Sequence, residues 1–322
     1  FDFHRADHFR FDPLLGRVEE INLNSTYGDK AFVRQPLAYE AYVDAGVPGS
    51  LSFPMRLEQN GAFFSVAAFI EQVDEECLER NDLDPEGALY KMYNTLNSST
   101  WGVEKKTRLG ENNQDLADLV SGLTQNGAAL RAFLFDSVDV PEVISYIAAT
   151  TLMHDNDHVA KNYYVYRDSD GDGEWQMLPW DKDLTWGRNY TLSGGVLNDT
   201  IWADDDPYSH PLFGDRNHPK NDGPWNRLID AMHRTPEIRE LYLRRLRTLM
   251  DEQLQAPGTP AAALRYEARL DALQAQMAAD VALDQAKWGV PNYGNTGYDF
   301  ATALGRLKNL YLAARRTHLY TT

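Results

Sequence analysis

Between His154 and Gly187 the chain reads HDNDHVAKNYYVYRDSDGDGEWQMLPWDKDLTWG, and no other stretch restricts the possible folds as much. Asp157 is followed five residues later by Asn162. Then come the strand-like run YYVY, an Asp- and Gly-rich turn, the second run WQMLPW, and the step Asp181-Lys182-Asp183. Two aromatic and apolar runs joined by Asp and Gly read as an antiparallel hairpin. A hairpin folds the chain back on itself, so the residues before its first strand meet those after its second. Oxygen-bearing side chains gathered from distant positions are what a metal–phosphate site needs.

The rest of the chain must build a scaffold for that hairpin. With 322 residues it can bury a substantial core, either as two domains or as one two-lobed domain. At 43% hydrophobic and 25% charged it reads as globular rather than disordered. No apolar run approaches the ~18 residues of a membrane-spanning helix. The net charge of −17 argues against nucleic acid as a partner and is compatible with cations and basic protein substrates. Cys77 is the one cysteine, which excludes an intrachain disulfide and a cysteine-based zinc site.

Residues 1–20, with His and Asp among Phe, read as an arm laid on the surface. Phe32, Val33, Leu37, Ala41 and Tyr42 give a helical stripe, with Asp29 as N-cap and Gly46 just past the end. Pro36 fits only in the first turn. From Leu51 the pattern alternates, and Asn60-Gly61 between apolar runs predicts a tight hairpin. A short helix over DEECLERNDL and strands over ALYKMYN and GVEKKTRL follow. Residues 1–110 thus form a small α+β lobe, and residues 111–322 a larger, mainly helical one. PEVISYIAATTLM is a helix with a first-turn proline, and it runs straight into His154. Residues 188–224 read as a long loop, and 225–255, 259–288 and about 300–316 as helices.

Phosphoryl transfer asks a protein for a held cation, positive groups on the phosphates, and a carboxylate facing the nucleophile. Protein kinases supply these from a loop with Asp followed by Asn, a short hairpin, and a metal-binding Asp. Asp157, Asn162, the YYVY and WQML strands and Asp181 stand in that order. The bland alternative is a capped loop with turn aspartates.

NYYVYRDSDGDGEWQMLPWDKDLTWG resembles the signature of the spore-coat CotH kinase family, in which an Asn-Tyr-Tyr hairpin leads into Pro-Trp-Asp-x-Asp. NLNSTYGDKAFVRQPLAYEAYVDAGVP, RLEQNGAFFSVAAFIEQVDEECLER, ALYK and GVEKKT are similar to that family's N-terminal half. PWNRLIDAMHRTPEIRELYLRRLRTLM is similar to its C-terminal helices, so the likeness covers most of residues 20–255. The resemblance implies an α+β, two-lobed, protein-kinase-like fold. It also implies an atypical bacterial kinase, secreted or at the cell surface, that transfers phosphate from ATP to Ser or Thr of proteins with Mg²⁺ or Mn²⁺. By the same resemblance Asp157 is the catalytic carboxylate, Asn162 and Asp181 are metal ligands, and Asp183 is an outer ligand or support. Two departures stand out: the hairpin turn is expanded, and Phe64-Ser65 replaces a bulkier aromatic-Gly pair.

The phosphate-binding cations carry less signal. Asn60-Gly61 is too small a turn to wrap a triphosphate. Lys91 is the first choice, mainly from the resemblance, followed by Lys106 and Arg34, with Glu71 or Glu104 to pair with the lysine. Solvated edge residues are the alternative for each. Asp168, Asp170 and Asp172, followed by Gly173, form the first half of a calcium loop, but position twelve is Pro179. A structural Ca²⁺ and a solvated turn both stay open there. His154 and His158 are four apart and lack a third histidine nearby. Trp175, Trp180 and Trp186 read as core. The rival to a kinase is a non-catalytic, calcium-stabilised extracellular binding module.

Overall fold

Asn60 and Gly61 both take positive φ, 54° and 77°, and join β2 (Ser52–Gln59) to β3 (Ala62–Glu71). That is the backbone a two-residue hairpin turn demands and the reason Asn-Gly occupies it. The computed structural model describes residues 1–4, 9–10, 18–26, 28–155, 157–158, 160–191, 195–201, 226–290 and 298–321. β1 (Ile21–Ser25) pairs antiparallel with the other edge of β3, giving the order β1-β3-β2. Pro54 sits in β2, an edge strand, where a missing N–H is tolerated.

α1 (Arg34–Asp44) lies beside this sheet. Pro36 falls in its first turn, and Gly46 takes φ 73° beyond its end. Val33 is the N-cap residue rather than Asp29. The Asp29 carboxylate still serves that helix start, accepting the backbone N–H groups of Ala31 (3.0 Å) and Arg34 (2.9 Å).

β1 stops pairing at Ser25–Ala67, so among the described residues the hairpin half of β3 has no strand on that side. α8 (Arg265–Trp288) takes the place of one. Asp284 accepts the Val66 N–H at 2.8 Å, Lys287 donates to the Phe63 carbonyl at 3.0 Å, and Trp288 Nε1 donates to the Phe64 carbonyl at 2.7 Å. The bulge between Leu57 and Glu58 leaves Phe64 out of the strand register, which frees its carbonyl for Trp288.

The second sheet has the order β5-β4-β6-β7, all antiparallel. Its strands are β4 (Ala88–Met92), β5 (Val103–Lys105), β6 (Tyr163–Arg167) and β7 (Trp175–Pro179). Strands from both sides of residue 110 share this sheet. α2 (Glu75–Arg80) is capped by Asp74, which accepts the Cys77 N–H at 3.1 Å.

α3 (Gln114–Gly122) and α4 (Gly127–Ser137) lead to α5 (Val140–Met153), whose residues are all buried except Pro141. α5 is fastened to β7 at its start. Gln176 Nε2 donates to Asp139 at 2.9 Å and the Met177 N–H to Glu142 at 3.0 Å. One helix and one strand thereby fix both ends of the His154–Asp181 segment.

The sequence predicts a single helix over 225–255, but the structure has two, α6 (Arg227–Arg234) and α7 (Pro236–Leu249). Pro236 cannot donate into a continuing helix and instead starts a new one. π geometry then carries the chain over Met250–Leu254. The predicted loop 188–224 holds two strands, β8 (Arg188–Thr191) and β9 (Gly195–Ile201), paired antiparallel; the rest of that loop lies outside the described residues. α8 begins at Arg265 rather than 259. The last helix runs as α9 (Phe300–Arg306), a π stretch over Leu307–Leu312, and α10 (Ala313–Thr321). Among the described residues no helix is long and apolar enough to cross a membrane. The fold is α+β with antiparallel sheets.

Candidate functional site

The β6–β7 hairpin closes as its sequence requires. Tyr163 pairs with Pro179, and the Trp180 N–H donates to the Asn162 carbonyl at 3.1 Å. Asn162 and Asp181 both hold left-handed backbone, with φ 66° and 52°. Such angles are uncommon for residues other than glycine, and Asn and Asp tolerate them best. They turn the chain sharply at either end of the hairpin. The Asp181 N–H donates to the Tyr39 hydroxyl of α1 at 3.1 Å. Asn162 is 6% exposed, and its Nδ2 has no hydrogen-bond partner among the described residues.

Upstream, α5 ends at His154, in left-handed backbone and fully buried. Asp155 follows, also buried. Its Oδ2 meets Lys182 Nζ at 2.8 Å and the Tyr42 hydroxyl at 3.2 Å, and its Oδ1 accepts the Asp157 N–H at 3.1 Å. Asp157 is partly buried, with Lys161 Nζ at 3.4 Å. Burial pushes the Asp157 carboxyl above the usual carboxylate range. Lys161 opposes that shift, Asp155 adds to it, Lys182 opposes it and Asp181 adds to it. Asp157 therefore shares a field with Asp181, its predicted metal-binding partner.

Lys91 lies in the central strand β4, opposite Glu104 on one side and Tyr164 on the other. Its Nζ sits over the Trp180 ring at 4.7 Å and over the Tyr93 and Tyr164 rings at 5.7 Å. Burial lowers its pKa; Glu104 and Asp181 support the charged form and Lys106 opposes it. Of the candidate cations, Lys91 is thus within electrostatic reach of Asp181. Lys106 Nζ binds Glu104 at 3.0 Å. Arg34 is buried against Asp29 at the start of α1.

Glu71 is not the lysine partner the sequence offered. It binds Arg80 Nε at 2.8 Å and accepts the Leu51 N–H at 2.9 Å, because the end of β3 faces α2. Asp183, two residues past Asp181, lines a cavity of about 30 Å³ with Thr26 and Asp29.

In the acidic turn, Asp168 accepts the Gly171 N–H at 3.0 Å and Asp172 the Glu174 N–H at 2.9 Å. Asp170 pairs with Arg108 at 2.8 Å. Among the described residues no three His, Cys, Asp or Glu side chains gather to hold a metal. The donor set at Asn162 and Asp181 still suits a magnesium ion. Mg²⁺ is commonly held by one or two protein groups, with water and phosphate oxygens completing its shell.

Several side chains of this site carried no sequence signal. Lys182 lies between two aspartates and is not singled out by the sequence, yet it is 0% exposed. Tyr42 reads only as helix stripe, and Tyr39 is not singled out. The cage around Lys91 could have been found from the strand pattern, since Tyr164 faces the same side as its cross-strand neighbour.

A family model described as CotH kinase protein matches residues 1–319. Inner spore coat protein H of Bacillus subtilis (strain 168) is 27% identical over 186 residues, 53% of this chain and 51% of that protein. The chain thus spans about half the length of that curated relative. The crystal structure of a Helicobacter pylori proinflammatory kinase, CtkA, aligns over 94% of this chain and 87% of its own, at 13% identity and a TM-score of 0.35. With the family model matched along nearly its whole length, this chain belongs to the CotH kinase family, and is kinase-like.

Proposed function

We propose that the protein is an atypical protein kinase that transfers the γ-phosphate of ATP to Ser or Thr hydroxyls of proteins, itself included, with Mg²⁺ or Mn²⁺. The observation that carries this reading is the hairpin closure. The Trp180–Asn162 hydrogen bond sets Asn162 beside Asp181, and Asp157 lies in the field of Asp181.

In this reading Asn162 and Asp181 hold the cation, which when bound neutralises phosphate charge. Asp157 orients the acceptor hydroxyl and takes its proton as the new O–P bond forms and the bond from the γ-phosphorus to the ADP oxygen breaks. A carboxyl above its usual range is the better proton acceptor. Lys91 reaches the α- and β-phosphates and Glu104 supports its charge. The net charge of −17 favours basic, Ser- and Thr-rich acceptors. The name of the Bacillus relative, a spore coat protein, favours a secreted or cell-surface location in a bacterium.

The test is incorporation of labelled phosphate from ATP into the protein and into a basic Ser/Thr-rich peptide, with Mg²⁺ and with Mn²⁺. Asp181→Ala should abolish it. A wild-type protein that binds Mn²⁺ and incorporates nothing would sink the reading. Phosphate release without any protein acceptor would make it a hydrolase instead.

A further inference from the structure

α1 carries two tyrosines one turn apart, and each reaches a different acid segment of the candidate site. The Tyr39 hydroxyl accepts the Asp181 N–H at 3.1 Å. The Tyr42 hydroxyl donates to Asp155 Oδ2 at 3.2 Å, and Asp155 Oδ1 accepts the Asp157 N–H at 3.1 Å. Tyr39 is 1% exposed and Tyr42 0%. A phenol buried this deeply usually finds a partner for its oxygen, and here both partners belong to the candidate site. The helix that bears them is braced from outside. Arg245 of α7 donates to the Ala45 carbonyl at 2.8 Å, and Arg269 of α8 donates to Glu40 at 2.9 Å.

Asp181 needs such a frame. It lies just past β7, so its N–H falls outside the strand ladder, and its φ of 52° is left-handed. A residue other than glycine persists in that conformation where its surroundings over-determine it. Two contacts do so. Tyr39 takes the N–H, and the side chain of the next residue, Lys182, is anchored 2.8 Å from Asp155. Neither contact uses the Asp181 carboxylate, which among the described residues accepts no hydrogen bond and joins no ion pair.

We propose that Tyr39 is a positioning residue for Asp181: its hydroxyl fixes the turn so that the Asp181 carboxylate faces the cation. This rests on the reading of Asp181 as a metal ligand. Tyr39 touches neither metal nor substrate and acts through one backbone N–H. Hydrogen bonds one step behind a ligand fix its orientation, and losing one typically lowers metal affinity about 10–100-fold.

The test is Mn²⁺ binding to the full chain without nucleotide, read by electron paramagnetic resonance. Tyr39→Phe keeps the ring in the core and removes one oxygen, and it should weaken Mn²⁺ binding about tenfold. Tyr42→Phe, the same change one turn along α1, should weaken it by no more than a few-fold. On an Asp181→Asn background Tyr39→Phe should have little further effect, because the carboxylate it serves is gone. Wild-type affinity in Tyr39→Phe overturns the proposal. So does an equal loss in Tyr42→Phe, which would mean that α1 has merely loosened, and so does a full loss that persists without the Asp181 carboxylate. A wild-type chain that binds no Mn²⁺ overturns it together with the metal-site assignment. A wild-type chain that binds Mn²⁺ more tightly than Tyr39→Phe yet incorporates no phosphate sinks the kinase reading and leaves Tyr39 in its role.

Discussion

Lys182 Nζ lies 2.8 Å from Asp155 Oδ2, and these side chains are 0% and 1% exposed. The pair ties the segment after α5 to the residue next to Asp181, with Tyr42 of α1 as a third member. Removing one partner leaves an uncompensated buried charge, which costs about 3–5 kcal/mol, whereas removing both does not. Lys182→Met should therefore destabilise the protein by about that amount in urea unfolding. Adding Asp155→Asn should restore much of the loss. Single-variant losses that simply add in the double variant would show that the two groups do not act as a pair.

Asp181 and Asp157 should separate by readout. Asp181→Asn keeps the backbone N–H that Tyr39 accepts and removes the charge that would face a cation. Mn²⁺ affinity, read by electron paramagnetic resonance, should fall about tenfold or more, since carboxylate charge sets the affinity of such sites. Asp157→Ala should leave Mn²⁺ affinity within a few-fold. It should cut phosphate incorporation by about 10²–10⁴, the usual contribution of a positioned acid or base. Asp183→Asn should lower Mn²⁺ affinity by less than Asp181→Asn if Asp183 is an outer ligand or a support. A large effect there would bring Asp183 into the metal site.

Local chemistry made much of this molecule legible from sequence. Asn60-Gly61 announced its turn, Pro141 the first turn of α5, and the YYVY and WQML runs the hairpin that brings Asn162 to Asp181. The missed features depend on partners far away in the chain. Lys182 is buried because α1 and α5 cover it, and its own neighbours are charged or polar on both sides. Glu71 finds Arg80 because β3 ends against α2, a relation that the spacing of lysines and glutamates does not encode. Pro236 is a missed local signal: a proline inside a helical pattern marks a boundary, and here it divides α6 from α7.

Lys91 should react unlike an ordinary surface lysine. Its burial among Trp180, Tyr164 and Tyr93 disfavours the charged amine, while Glu104 supports it. More of it is neutral, and so nucleophilic, at about pH 8 than for an unshifted lysine. Limited acetylation followed by mass spectrometry should find Lys91 modified ahead of Lys105. Glu104→Gln removes a group that raises the pKa, so it should make Lys91 react faster still. Slower reaction in that variant would mean that Glu104 acts on access rather than charge.

Asp74 should make stability depend on pH. Burial raises its carboxyl to about 7, with Glu76, Glu71 and Glu75 adding to the effect and the Cys77 N–H opposing it. An unfolded Asp titrates near ~3.9, so between those values the folded protein keeps a proton that the unfolded chain releases. The favourable contribution is complete below about pH 4 and is lost as pH rises through about 7. Asp74→Asn keeps an oxygen to cap α2 and does not titrate. At about pH 5 the melting temperatures of variant and wild type should lie close together. At about pH 8 the variant should melt higher, because the wild type must then hold a desolvated carboxylate beside three glutamates. A gap of constant size from about pH 5 to 8 would mean that Asp74 stays ionised throughout that window, and that the asparagine acts only through the helix cap.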